Sequence, residues 1–368
     1  MPFADELLGR QQASAMTDLL EAAAGVRLTE TRSAALQLDD LALGARSAHL
    51  AASLAVDLPV PYPAFAAIVR RALESASLTG WMIWPVSVAV SAAAIADGGE
   101  EAFDDGMQLL AELTHRLTCE WAVRAMLRAR LERTLGIMHA WTGSRDEHVR
   151  RLASEGTRPY LPWGTRVAGI TRDARLTAPI LNALYRDESE YVRRSVANHL
   201  NDISRHDAGL VCELATAWLA EGDENTPKLV RHALRTLVKR GDQEALGILG
   251  FVAADVIVDG PTLDRSSIVL GEELLICGAI RNSGQEPAKL VVDYVVHHVK
   301  ADGSRTPKTF KISTITLAPG ETLEIAKRHK IVPITTRRYH PGVHAIELQV
   351  NGVRFGFAEF ELLPDVVC

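Results

Sequence analysis

Cysteine is scarce and dispersed, four residues in 368, at Cys119, Cys212, Cys277 and Cys368, with no CxxC pair. With no secretory leader ahead of Asp5 and Glu6, this is the pattern of reduced thiols in a cytosolic protein rather than of a disulfide scaffold. A long apolar run is also missing. The most apolar stretch, Trp81 to Ala96, is interrupted by Pro85 and falls short of the ~20 residues that a membrane span needs, so it is expected to be a buried helix and no membrane partner is expected. Twelve histidines include no HExxH motif. The adjacent His297 and His298 should point to opposite faces of a strand, so no metal is expected. The absence of a GxxxxGK[ST] loop argues against nucleotide hydrolysis. Collagen-like and low-complexity classes are excluded by composition.

What is present is core material: 47% hydrophobic and 23% charged residues, enough for a globular chain of two domains. The formal charge of −6 conceals an asymmetry. Residues 1–114 hold 6 basic and 15 acidic side chains, residues 115–240 hold 21 and 15, and residues 241–368 hold 13 and 16. A positive middle between negative flanks fits either a localised polyanion-binding face or a solvated helical surface.

Composition changes near residue 254. Before it, apolar residues recur at helical spacing, as in Leu234, Leu237 and Val238, then Ala245, Leu246, Ile248 and Leu249. After it, strands are expected at 267–270, 273–281, 289–298, 309–317, 321–330, 344–350 and 355–362, separated by turn residues such as Pro319-Gly320 and Asn351-Gly352. The fold read from this is an all-α HEAT-like helical-repeat solenoid over 1–254 followed by a small all-β immunoglobulin-like sandwich over 255–368. The repeat lies in aligned Val-Arg pairs. Glu147-His148-Val149-Arg150-Arg151-Leu152 matches Glu190-Tyr191-Val192-Arg193-Arg194-Ser195, and both resemble Lys228-Leu229-Val230-Arg231-His232-Ala233, at offsets of 43 and 38 residues. Those offsets lie at or near the period of helix-pair repeats. Ser144-x-x-Glu147 reads as a capping box and Thr226-Pro227 as a helix start.

Glu147, Arg151 and Glu155 share one helix face, as do Glu190, Arg194, Asn198 and Asp202 on the next repeat, with Glu120 and Arg124 upstream. Taken singly, each stripe is explained by ordinary i,i+4 ion pairing. The run Glu155-Gly156-Thr157-Arg158-Pro159-Tyr160-Leu161-Pro162-Trp163-Gly164 is not, because it ends a helix and displays an aromatic residue among basic ones.

This run resembles the AlkC group of alkylation-repair DNA glycosylases, in the subgroup with a carboxy-terminal immunoglobulin-like domain. Thr118-Cys119-Glu120-Trp121-Ala122-Val123-Arg124 and the segment from Tyr191 to Ser204 resemble it too, so the likeness is sharp over about 118–205. Ala125 departs from the family, which has proline there. The resemblance implies a cytoplasmic, nucleoid-associated and monomeric enzyme without cofactors. It would cleave the N-glycosidic bond of cationic methylated bases, 3-methyladenine and also 3-methylcytosine, in double-stranded DNA without flipping them. Residue by residue it implies Glu120, Glu155 and Asp202 as active-site carboxylates and Trp163 as an aromatic facing the lesion. Around them, Arg124, Arg151, Arg158, Arg193, Arg194, Arg205, Lys239 and Arg240 are expected to hold phosphates. The competing readings are a HEAT-repeat protein scaffold and a DNA-binding module without catalysis.

Overall fold

A computed structural model describes residues 4–333 and 338–364, so Cys368 lies outside the described residues. Two compact units emerge. One comprises residues 4–210 and 218–233, all helices and loops; the other comprises 211–217 and 234–364. The division therefore falls ahead of the composition break near 254, because the helices Arg235–Arg240 and Gln243–Ile248 pack with the strands that follow them.

In the helical unit the Val-Arg repeats become neighbours. Helix Glu147–Gly156 packs on Glu190–Ile203, which packs on Thr226–Ala233, and Val149, Val192 and Val230 are all buried. Their arginines staple the repeats together. Arg150 donates to the carbonyls of Ser144 and Arg145 at 3.0 and 3.1 Å; Arg193 donates to the equivalent carbonyls of Asp187 and Glu188, the latter at 2.9 Å. These groups are the orphan acceptors of the inter-helix turns, and the repeated arginine satisfies them.

Two helix starts differ from expectation. Helix Glu147–Gly156 is capped by Asp146, whose side chain accepts from the His148 N–H, while Ser144 Oγ accepts from the Asp146 N–H. Helix Thr226–Ala233 is capped from Asp223, which accepts from the Thr226 N–H at 3.0 Å. In both places an aspartate accepts from the first-turn N–H groups and takes the cap.

The stretch Gly80–Asp97 has the length and apolarity of a membrane span, slightly longer than the run counted in the sequence. Its helix, Ile83–Asp97, packs between Leu43–Asp57 and Glu100–Leu113 with Trp84, Val86, Val90 and Ala94 buried.

Among the described residues the other unit has eight strands: β1 (Val256–Leu263), β2 (Ser267–Ile268), β3 (Glu273–Asn282), β4 (Ala288–Val299), β5 (Arg305–Leu317), β6 (Thr322–Lys330), β7 (Gly342–Val350) and β8 (Val353–Leu362). They form two sheets, ordered β1-β3-β6 and β2-β8-β7-β4-β5. Leu274, Ile276 and Ile280 belong to the same core as Leu290, Val292, Tyr294, Val296, Ile346 and Leu348, which alternate along their strands. Strand β1 was missing from the sequence reading because Asp259-Gly260-Pro261 interrupts its alternation; the β1–β3 register shifts there. Asn351 and Gly352, both at positive φ, turn β7 into β8. His297 reaches Glu347 at 2.5 Å while His298 lies beside His344 and Tyr339.

Candidate active site

Two helix ends and one turn supply the carboxylates of the site. Glu120 sits in the turn before helix Val123–Ala129, Glu155 in the last turn of Glu147–Gly156, and Asp202 in the last turn of Glu190–Ile203. All are almost fully buried, at 7%, 5% and 3% exposure. Buried carboxylates need partners, and here the partners join them into one row. Arg151 donates to Glu120 at 2.6 Å and lies 3.4 Å from Glu155. Arg158 then donates to Glu155 at 2.6 Å and through Nε to Asp202 Oδ2 at 2.9 Å. The result is an alternating chain, Glu120–Arg151–Glu155–Arg158–Asp202, in which each guanidinium bridges two acids.

The carboxylates are electrostatically distinct. Burial raises Glu120 above the usual carboxylate range, Glu155 adding to the rise and Arg151 opposing it. Burial pushes on Glu155 as well, but Arg151, Arg158 and the Ser195 hydroxyl, 2.7 Å from its Oε2, together hold it below that range. Burial raises Asp202 despite the Arg158 bond.

The loop after Glu155 is held by a buried cation. Arg124, 1% exposed, donates to the carbonyls of Gly156 and Arg158 at 2.9 Å each and to that of Thr165, so one guanidinium ties both ends of the loop. Burial, followed by the charge of Arg158, brings it down to about 10. Gly156 permits the helix end to approach: a Cβ there would lie 2.6 Å from Val123 Cγ1. Ala125, where the resemblance leads to an expectation of proline, donates its N–H to the Ala122 carbonyl at 3.1 Å as an ordinary first-turn residue.

Trp163, at φ 60°, is 61% exposed. It stacks on Trp121 at 6.3 Å, and Trp121 stacks on Trp84 at 4.3 Å and donates its indole N–H to the Pro162 carbonyl. The exposed indole is thus the outer end of an aromatic stack whose Trp121 adjoins Glu120 in the chain.

Four arginines expected to hold phosphates do other work. Arg124 and Arg158 are buried around carbonyls and carboxylates, Arg151 is spent on Glu120 and Glu155, and Arg193 satisfies turn carbonyls; a cation saturated by protein acceptors is a poor phosphate ligand. Arg194 is exposed, 3.9 Å from Glu190. Arg205 lies over the Tyr160 ring. Lys239 and Arg240 are exposed residues of helix Arg235–Arg240 in the other compact unit. Sequence reasoning missed Ser195, although its seven-residue spacing from Asp202 placed both on one helix face. It also missed Trp121, whose contact across the fold leaves no local signal.

Comparison with known proteins places the chain in a family. Residues 89–237 match the DNA alkylation repair enzyme family, and residues 257–364 match the C-terminal Ig-like domain of the uncharacterised protein YhaZ. The chain is 37% identical to uncharacterized protein YhaZ of Bacillus subtilis (strain 168) over 251 residues, 68% of this chain and 70% of that protein. It superimposes on the Pseudomonas fluorescens alkylpurine DNA glycosylase AlkC bound to DNA containing an abasic site analog with a TM-score of 0.87 and 34% identity, covering 99% of this chain and 100% of that one. This chain belongs to the AlkC family. The chain joins a helical region to a β-sheet domain, and residues 257–364 of its second unit are the part that matches the Ig-like domain.

Proposed function

We propose that this AlkC-family protein is a DNA N-glycosylase that releases cationic methylated bases, 3-methyladenine foremost and also 3-methylcytosine, from double-stranded DNA, acting as a monomer in the cytoplasm. The observation that carries the reading is the buried row Glu120–Arg151–Glu155–Arg158–Asp202 next to a displayed tryptophan. Such a base is already positively charged and leaves without a strong general acid. The difficulty lies in the sugar, which gains positive charge as the bond lengthens. Preorganised carboxylates stabilise that charge without reorganisation.

The three acids divide the work. Glu155, kept ionised by its cationic neighbours, is a standing negative charge for the oxocarbenium-like sugar. Asp202 binds Arg158 through Oδ2, which leaves Oδ1 to hold the attacking water, and its raised affinity for protons makes it the better base. Glu120 adds negative charge at the far end of the row. Trp163 faces the cationic base with an electron-rich indole, worth ~0.5–2 kcal/mol of cation–π attraction, and detection by charge and bond lability needs no extrahelical pocket.

The test is single-turnover release of 3-methyladenine from methylated duplex, with folding checked by thermal unfolding. Glu155→Gln and Asp202→Asn are expected to lose ~10²–10³-fold in rate and little in DNA affinity. Wild-type rates in both isosteres would return the carboxylates to ordinary ion pairs of a repeat scaffold.

A further inference from the structure

The loop that displays Trp163 carries a second aromatic residue with an unusual environment. Arg166 and Arg205 place their guanidinium carbons 4.3 and 4.2 Å from the Tyr160 ring centroid, and His206 stacks on the same ring at 5.3 Å and 24°. Both arginines are exposed, and among the described residues neither is ion-paired with a carboxylate. This separates them from Arg150, Arg151 and Arg158, which are held by acids. Two guanidiniums gathered on one ring repel each other, and the ring's electron-rich faces offset only part of that repulsion. An oxyanion reached by both would complete the arrangement, since guanidinium forks match phosphate oxygens and the tyrosine stack limits the freedom lost on binding.

The position selects the ligand. Arg205 follows Asp202 at the end of helix Glu190–Ile203 and donates its backbone N–H to the Asp202 carbonyl, and Tyr160 lies between Arg158 and Trp163. We propose that Arg166, Tyr160 and Arg205 form a phosphate clamp for a DNA backbone phosphodiester flanking the lesion. One anion there would tie the Trp163 loop to the helix end bearing Asp202. This rests on the glycosylase reading for the identity of the nucleic acid, and it assigns Tyr160 and Arg166, which lie outside the catalytic row, to binding.

The experiment scans an uncleavable duplex with single methylphosphonates, which remove one backbone charge at a time, against the full-length wild type and the Arg166→Ala/Arg205→Ala double variant. Wild-type affinity is expected to fall about tenfold at one flanking position, and the double variant, itself about a hundredfold weaker on the unmodified duplex, is expected to be indifferent at that position. Tyr160→Phe, which keeps the ring, should stay near wild type, whereas Tyr160→Leu should weaken binding. If the double variant remains as sensitive as wild type at every position, or if inorganic phosphate competes with wild type and double variant alike, the clamp is overturned. Because binding is read on uncleaved DNA, failure to release a base would defeat the glycosylase reading alone, and unchanged interference would defeat the clamp alone.

Discussion

At the scale of single residues, the glycosylase reading and the row of alternating charges together cast Arg158 as a positioning residue, which the binding assay can separate from a phosphate ligand. Arg158→Lys retains the charge, but one ammonium cannot reproduce the planar fork that reaches Glu155 and Asp202 together. The expected outcome is a loss of at least about tenfold in single-turnover rate with duplex affinity within about twofold. It should also move the acid limb of the rate profile to higher pH, because Glu155 owes its lowered value partly to Arg158. A phosphate ligand would show the opposite split, with weaker binding to all DNA and an unchanged rate.

His199 gives a stability prediction at the same scale. It is fully buried, its Nδ1 2.9 Å from the Ser154 carbonyl and its Nε2 3.1 Å from Thr177 Oγ1. Burial brings its pKa from 6.5 to about 3. The folded state therefore refuses a proton that the unfolded chain accepts. Its contribution is complete above pH ~6.5 and is lost progressively as the pH falls from there toward 3, reaching ~2 kcal/mol by pH 5. Thermal unfolding of wild type and His199→Gln at pH 7 and pH 5 should show the variant less stable at pH 7 but with the smaller drop between the two.

At the scale of elements, the repeated arginine and the glycine at the helix end hold the site from behind. Arg150 bridges Asp187 through two bonds, at 2.7 and 3.1 Å, with both side chains nearly buried. Arg150→Ala would leave Asp187 buried without its cation, a loss of ~3–5 kcal/mol. Gly156→Ala would force a Cβ against Val123 and Met138, costing ~1–3 kcal/mol by overpacking. Both should appear as lowered unfolding temperatures, and Gly156→Ala should also slow base release, because its helix end carries Glu155. Normal turnover in a destabilised Gly156→Ala would mean that the carboxylate row tolerates a shifted helix end.

At the scale of the whole molecule, the net charge of −6 coexists with a middle segment whose basic residues outnumber its acidic ones by 21 to 15. Much of that excess is spent internally, so fewer phosphates are contacted than the count suggests. DNA affinity should still fall steeply with salt, by ~10²–10³ between 50 and 200 mM, and depend little on sequence; a flat response would remove DNA as the partner. The Ig-like unit contributes less free charge than its basic run implies. In Lys327-Arg328-His329-Lys330 the histidine is buried against Tyr294, while Arg328 and Lys330 flank Glu273 at 2.9 and 3.8 Å. A cut at 254 would also strip Leu246 and Phe251 of Val291, with which they share a small core. Truncation at that point should therefore lower the unfolding temperature of what remains.

Local signals made much of this protein legible. Helical spacing, alternating strands and the Asn351-Gly352 turn act over a few residues, and apart from β1 the expected strands appear close to where the sequence placed them. The loop from Glu155 to Gly164 and the positions of Glu120 and Asp202 were legible through resemblance to a family, not through geometry. What tertiary structure alone decided is partnership. The same arginines read as phosphate ligands became staples for carbonyls and bridges between acids, because burial leaves a guanidinium no water and obliges it to find protein acceptors. The Trp121–Trp163 stack and the Arg166–Tyr160–Arg205 cluster join residues from turns and helix ends that share no periodicity. Sequence sets which groups a chain owns and which elements they ride on; the folded packing decides which charges meet, and therefore which remain for a ligand.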